Sequence, residues 1–146
     1  MKHKVIIEII SFLLTLLFVY AAAAKFLDVT NFRHQLSLSP FIGGFAGTIA
    51  IVLPLVELAT AALLTIKNTR FYGLLASLLL LMLFTGYIAA MLLSGVHLPC
   101  SCGGVISSLS WKEHLIFNLF FLAITIVAFV TENKERKYNR QKERSI

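Results

Sequence analysis

The chain carries two cysteines, Cys100 and Cys102, one residue apart in Pro99-Cys100-Ser101-Cys102-Gly103-Gly104. Two thiols this close can store a pair of electrons as a disulfide and pass them on through a mixed disulfide. A Cys-x-Cys ring is very small, and its Cα atoms reach the roughly 4.4–6.8 Å that a disulfide needs only if Ser101 bends. Gly103 and Gly104 supply backbone freedom beside it, because glycine accepts positive φ without steric penalty. The bond expected here is strained and easily attacked, which suits a relay better than a staple. A staple across one intervening residue would also remove little entropy from the unfolded chain. Two other readings stand beside the redox one. His97, Cys100, Cys102 and His114, with Met91 as a thioether, offer donors to a soft ion such as Cu(I), although the spacing departs from the Cys-x2–4-Cys of zinc sites. Alternatively the two thiols merely lie in a loop or form an inert local bridge. The simpler reading of both histidines is as interfacial side chains near span ends.

Glu57 is the second chemically informative residue. It lies inside the apolar run Val52-Leu53-Pro54-Leu55-Val56-Glu57-Leu58, where a carboxylate costs about 2.5 kcal/mol or more unless paired or neutral. Such a side chain faces a helix-bundle interior. One role for it is proton handling, since oxidising a dithiol releases two protons and a quinone acceptor takes two up. The other is fixing helix packing next to Pro54, and the sequence weighs the two equally. Lys25 could reach inward towards an acidic group, but its spacing alone favours the headgroups. Glu8 lies nearer a span edge and is expected to be solvated.

The elements that must position these residues follow from composition. The chain has 146 residues, 58% hydrophobic and 14% charged, with mean hydropathy +0.86. Soluble domains are about a quarter charged, so that class is excluded. Runs of about 18 or more apolar residues cross a bilayer as helix, and helices satisfy their own backbone hydrogen bonds in lipid. The expected fold is all-α: a polytopic membrane protein with a single four-transmembrane-helix domain over residues 1–131. Its spans fall at about 5–24, 46–66, 71–94 and 111–130, followed by a basic tail over 132–146 that is expected to fray.

Between the first two spans, Asp28 can cap a short interfacial helix carrying Val29, Phe32 and Leu36 on one side, ended by Ser39-Pro40. The short connection 67–70 makes spans two and three antiparallel neighbours. Ser110 and Glu113 fit a capping box at the start of span four, which places Trp111 in the headgroup layer. Gly43 and Gly47 form a Gly-x-x-x-Gly pattern, a weak signal for close helix contact.

Charge distribution sets the orientation. Of thirteen lysines and arginines, ten (Lys2, Lys4, Lys67, Arg70, Lys134, Arg136, Lys137, Arg140, Lys142, Arg144) fall on one side of the bundle. Only Lys25, Arg33 and Lys112 fall on the other. The positive-inside rule then makes both termini cytoplasmic in a bacterial cytoplasmic membrane. The cysteine loop faces outward, where disulfides persist. The same pattern accounts for the net charge of +6 without nucleic acid. The N-terminus also has features of a cleavable signal peptide, but Glu8 and the length of the apolar run argue against cleavage.

Taken together, Ala24-Lys25-Phe26-Leu27-Asp28 with Phe32, then Leu53-Pro54-Leu55-Val56-Glu57-Leu58, then Cys100-Ser101-Cys102-Gly103-Gly104 resemble the MauE branch of the DoxX-like membrane proteins. The resemblance runs from span one through Gly104 and rests on the order and spacing of these pieces. It implies a four-helix membrane bundle associated with disulfide formation and maturation of a periplasmic dehydrogenase subunit. Other DoxX-like proteins are linked to thiol or sulfur redox and to quinones. On this resemblance Cys100 and Cys102 match the family's cysteine motif, and Lys25 and Glu57 its recurrent charged positions. Within these 146 residues there is no thioredoxin-like stretch and no second cysteine pair. The reading that follows is a thiol–disulfide oxidoreductase, or an accessory to one. Cys100, Cys102 and Glu57 would carry the chemistry, with an extracytoplasmic thiol partner and, as the cofactor implied, a quinone lodged between helices near Glu57. Soft-metal transfer and non-catalytic assembly are the alternatives.

Overall fold

The computed structural model describes residues 2–95 and 110–145. Five α-helices and one 3-10 turn account for nearly all of them. They are α1 (Lys2–Leu27), α2 (Val29–Ser37), the turn Gly43–Phe45, α3 (Ala46–Thr65), α4 (Arg70–Ser94) and α5 (Trp111–Arg144). Four of these helices, all but α2, are long and apolar enough to span a membrane.

The spanning helices form a square. α1 packs on α3 and α5, α4 packs on α3 and α5, and the diagonal α1–α4 pair barely touches. Ile7, Ile10, Leu14 and Phe18 of α1 meet Ala61 and Leu64 of α3, Leu74 and Leu81 of α4, and Ala128 of α5 in one core. α1 is thus an integral wall of the bundle. Its spacing of buried residues, at steps of three and four, follows the 3.6-residue helical period. α3 and α4 approach closely at Gly73, where an added Cβ would stand 2.8 Å from the Leu64 nitrogen. Any larger residue there would force the two helices apart.

The expected Gly-x-x-x-Gly contact takes another form. Gly43 lies in the 3-10 turn, with the Ser37 carbonyl oxygen 2.7 Å from where its Cβ would be, and Gly47 faces the Arg33 guanidinium. Both glycines seat α2 against the start of α3 rather than joining two spans. α2 itself forms as its sequence predicts. The Asp28 side chain caps it by accepting from the Asn31 N–H at 3.4 Å, and Phe32 and Leu36 are buried against Ala46 and Ala50. Val29 stays exposed.

The tail departs from expectation. Instead of fraying over 132–146, α5 continues as one helix to Arg144. Nothing between Trp111 and Arg144 is Gly or Pro, and Glu132 and Arg136 stand at the favourable i, i+4 spacing. Arg136 also places its guanidinium carbon 4.5 Å from the centroid of Phe71, which stacks on Phe129 at 5.2 Å. This contact ties the first turn beyond the span to the start of α4.

Candidate functional site

Two ends of the square can be told apart by what they carry. α1 ends, α3 begins, α4 ends and α5 begins at the end from which residues 96–109 run, here called the loop end. Lys25 lies in the last turn of α1, yet it does not reach out to headgroups as its spacing favours. Side chains on a helix lean towards its N-terminus, and Lys25 follows that lean back into the bundle. Its Nζ donates to Glu57 Oε1 at 2.9 Å, to Glu57 Oε2 at 3.1 Å and to the Ala21 carbonyl at 3.3 Å. The pair is closed off from solvent, with 4% of Lys25 and none of Glu57 exposed. The rings of Phe32 and Phe84 flank the ammonium, with centroids 5.8 and 5.9 Å away. Phe32 belongs to α2, so the interfacial helix lies over the pair.

The local sequence explains why the partners meet. Glu57 shares a helical stripe with Ala46, Ala50, Pro54, Ala61 and Leu64, all buried, so the small residues above it bring α3 close to α1 and α2. Pro54, one turn earlier, lacks the N–H that would bond the Ala50 carbonyl. Of the two roles open to Glu57 in the sequence, packing is therefore met by the ion pair. Its chemistry depends on what else surrounds it.

A cavity of about 30 Å³ adjoins Glu57, lined also by Phe18, Leu81, Phe117, His114 and Asn118. His114 and Asn118 are one turn apart on α5, and with Thr125 and Ala128 they make its buried stripe. His114, expected at the interface, is thus inside the bundle at 3% exposure. The cause is its register: it occupies the same face as Asn118 and Ala128. Asn118 is 4% exposed, and its Nδ2 has no hydrogen-bond partner among the described residues. The sequence reading missed it. The signal was present, an amide inside an apolar span four residues after a histidine. Met91, considered as a metal donor, is buried in α4, and Glu8 is exposed as expected.

The capping box at the head of α5 is formed as read. Ser110 N–H donates to Glu113 Oε2 at 2.8 Å and the Glu113 N–H donates to Ser110 Oγ at 3.4 Å. It fixes the first turn of α5 and so the depth at which His114 and Asn118 enter the bundle. Cys100, Cys102 and His97 lie outside the described residues. Their connection joins Gly95, at φ 68° in the left-handed region, to the Ser110 cap, and both anchors are at the loop end. Sequence reasoning named Lys25 and Glu57, which the fold unites; it did not foresee that α5 adds His114 and Asn118 to them. Chemically, the assembly is a carboxylate with lone pairs to spare beyond its lysine bonds, next to an imidazole and an amide.

Residues 3–131 match the family model described as methylamine utilisation protein MauE. No curated protein and no solved structure matches the chain.

Proposed function

This chain belongs to the MauE family of membrane proteins, and from that premise we propose that it is a thiol–disulfide redox protein, or an accessory to one. It acts through Cys100 and Cys102 on a protein outside the cytoplasmic membrane. The observation that carries the reading is the buried Lys25–Glu57 pair, joined by His114 and Asn118, at the end of the bundle where the cysteine-bearing connection is anchored. A chain needing only a lipid-spanning scaffold has no use for four polar side chains gathered at one end, because each costs free energy in an apolar interior.

In exchange with a partner, a thiolate of the partner attacks one loop sulfur and breaks the Cys100–Cys102 bond, forming a mixed disulfide. The partner's second thiolate then attacks its own bridged sulfur and releases the loop dithiol. The partner loses two electrons and two protons, and the loop gains them. Restoring the loop disulfide requires an acceptor, for which a membrane quinone is the fitting class: it takes both electrons and both protons and leaves as quinol. The cavity beside Glu57, about 30 Å³, is far below the roughly 150 Å³ that holds a benzene ring. The quinone would therefore meet the sulfur pair at the loop rather than between the helices. Glu57 serves as proton acceptor, held in place by Lys25.

The test is to trap the mixed disulfide. Cys100→Ser and Cys102→Ser, expressed singly in the membrane, leave one sulfur without its resolving partner. One of the two should accumulate a covalent adduct that reductant releases. If neither forms an adduct and the doubly substituted chain keeps full activity, the protein is an assembly factor that does not use its sulfurs. Stoichiometric copper in the purified protein would replace the redox reading with metal transfer.

A further inference from the structure

The cavity between α1, α3, α4 and α5 is lined mainly by apolar side chains, with Glu57 of α3 and Asn118 and His114 of α5 as its polar groups. Glu57 uses two acceptor directions on Lys25, and a carboxylate has about four. The Asn118 amide nitrogen, buried and without a partner among the described residues, lines the same space. His114 lines it one turn nearer the loop end. An apolar cavity stays dry, but one offering two or more polar partners takes up water once it exceeds about 10–15 Å³. At about 30 Å³ this one has room for roughly one or two molecules. A donor (Asn118) and an acceptor (Glu57) face it together, so a water there accepts from one and donates to the other.

The packing around the space differs between its two ends. Towards the chain termini lie Leu14, Leu64 and Leu74, packed in one core and each exposed by no more than 1%. Above Lys25, α2 lays Phe32 across the pair. The polar direction that remains runs through Asn118 and His114 to the first turn of α5. We infer that Glu57, Asn118 and His114 bind water and form a proton-transfer site that communicates with the loop end of the bundle and is sealed from the other. Lys25 is the only other charged group facing Glu57 among the described residues; α4 contributes only Leu81 and Phe84 to the cavity wall. Its use in sulfur chemistry rests on the redox reading above, but the site itself does not.

Radiolytic hydroxyl labelling of the full chain in lipid nanodiscs tests this, because radicals generated from a bound water modify the side chains beside it. Leu81 lines the cavity, while Leu64 and Leu74 are equally buried leucines below it. Leu81 should be labelled at least about fivefold faster than either, and Asn118→Leu should bring it down to their level. Asn118→Asp, nearly the same shape and still polar, should keep the fast rate and controls for misfolding. Equal labelling of the three leucines in the unsubstituted protein would overturn the inference, whatever the variants do. The measurement is repeated on the Cys100→Ser/Cys102→Ser chain. Hydration that persists there while exchange is lost separates failure of the redox reading from failure of this one. Infrared spectra of reconstituted vesicles, with Glu57→Gln as the assignment control, then give the sidedness. The Glu57 band should follow pH on the loop side alone, and a response to the opposite compartment would contradict the seal.

Discussion

Lys25→Met removes the ammonium from the buried pair and leaves its carboxylate with no cation. Three bonds are lost, two to the carboxylate at 2.9 and 3.1 Å and one to the Ala21 carbonyl at 3.3 Å, and hydrogen bonds to charged groups contribute about 1.5–3 kcal/mol each. Removing one member of a buried pair costs about 3–5 kcal/mol by direct comparison. In a membrane the unfolded helices still find polar partners, which pulls the figure to the lower end, about 3 kcal/mol. For a chain near this size that corresponds to a fall in melting temperature of roughly 6–12 °C, at about 2–4 °C per kcal/mol. Glu57→Leu should cost a similar amount, because it strands Lys25 instead. The double variant Lys25→Met/Glu57→Leu should recover most of the loss, since an apolar pair of similar volume replaces a buried ion pair at little net cost. Thermal unfolding in detergent, followed by circular dichroism, gives all three values. Two additive single losses, or singles within about 0.5 kcal/mol of the parent, would refute the claim that these side chains are coupled. A double variant that is stable yet inactive assigns the pair to function rather than to packing.

Other consequences are narrower. Gly73→Ala places a methyl 2.8 Å from the Leu64 nitrogen, so α3 and α4 must separate; a loss of about 1–3 kcal/mol is expected in the same unfolding assay. Ser110→Ala removes the cap of α5 and should cost about 1 kcal/mol, with faster amide hydrogen exchange confined to the first turn of that helix. Arg136→Ala breaks the stack on Phe71 and should cost no more than about 1 kcal/mol, but limited proteolysis after residue 131 should speed up markedly. Glu57→Gln keeps the shape of the side chain while removing its charge; exchange turnover should fall and the Glu57 contribution to its pH profile should disappear, and an unchanged turnover and pH profile would remove Glu57 from the mechanism.

Much of the architecture was legible because the signals were local and long. Four apolar runs, a capping box and an Asp-capped amphipathic turn each depend on neighbours within a few residues, and each formed as read. Span ends shifted by only a few residues except in α5. There the polar composition after Val130 marks where the apolar stretch ends, not where the helix ends, since the backbone has no breaker before Arg144. The site was half legible. A carboxylate inside an apolar run announces a partner but does not say which one, and Lys25 looked like a headgroup contact because its position in sequence is terminal. Only the lean of its side chain and the placing of α3 beside α1 turn it inward. His114 and Asn118 depend on which face of α5 meets α1 and α4, a tertiary property that no single span encodes.

We propose that Cys100 and Cys102 change oxidation state at the outer face of the membrane. Alkylation of intact cells with a membrane-impermeant maleimide, before and after mild reduction, tests it most directly. A disulfide facing outward gives no labelling in the resting protein and two labels per chain once it is reduced. Labelling before reduction, or labelling only after the cells are permeabilised, would contradict it.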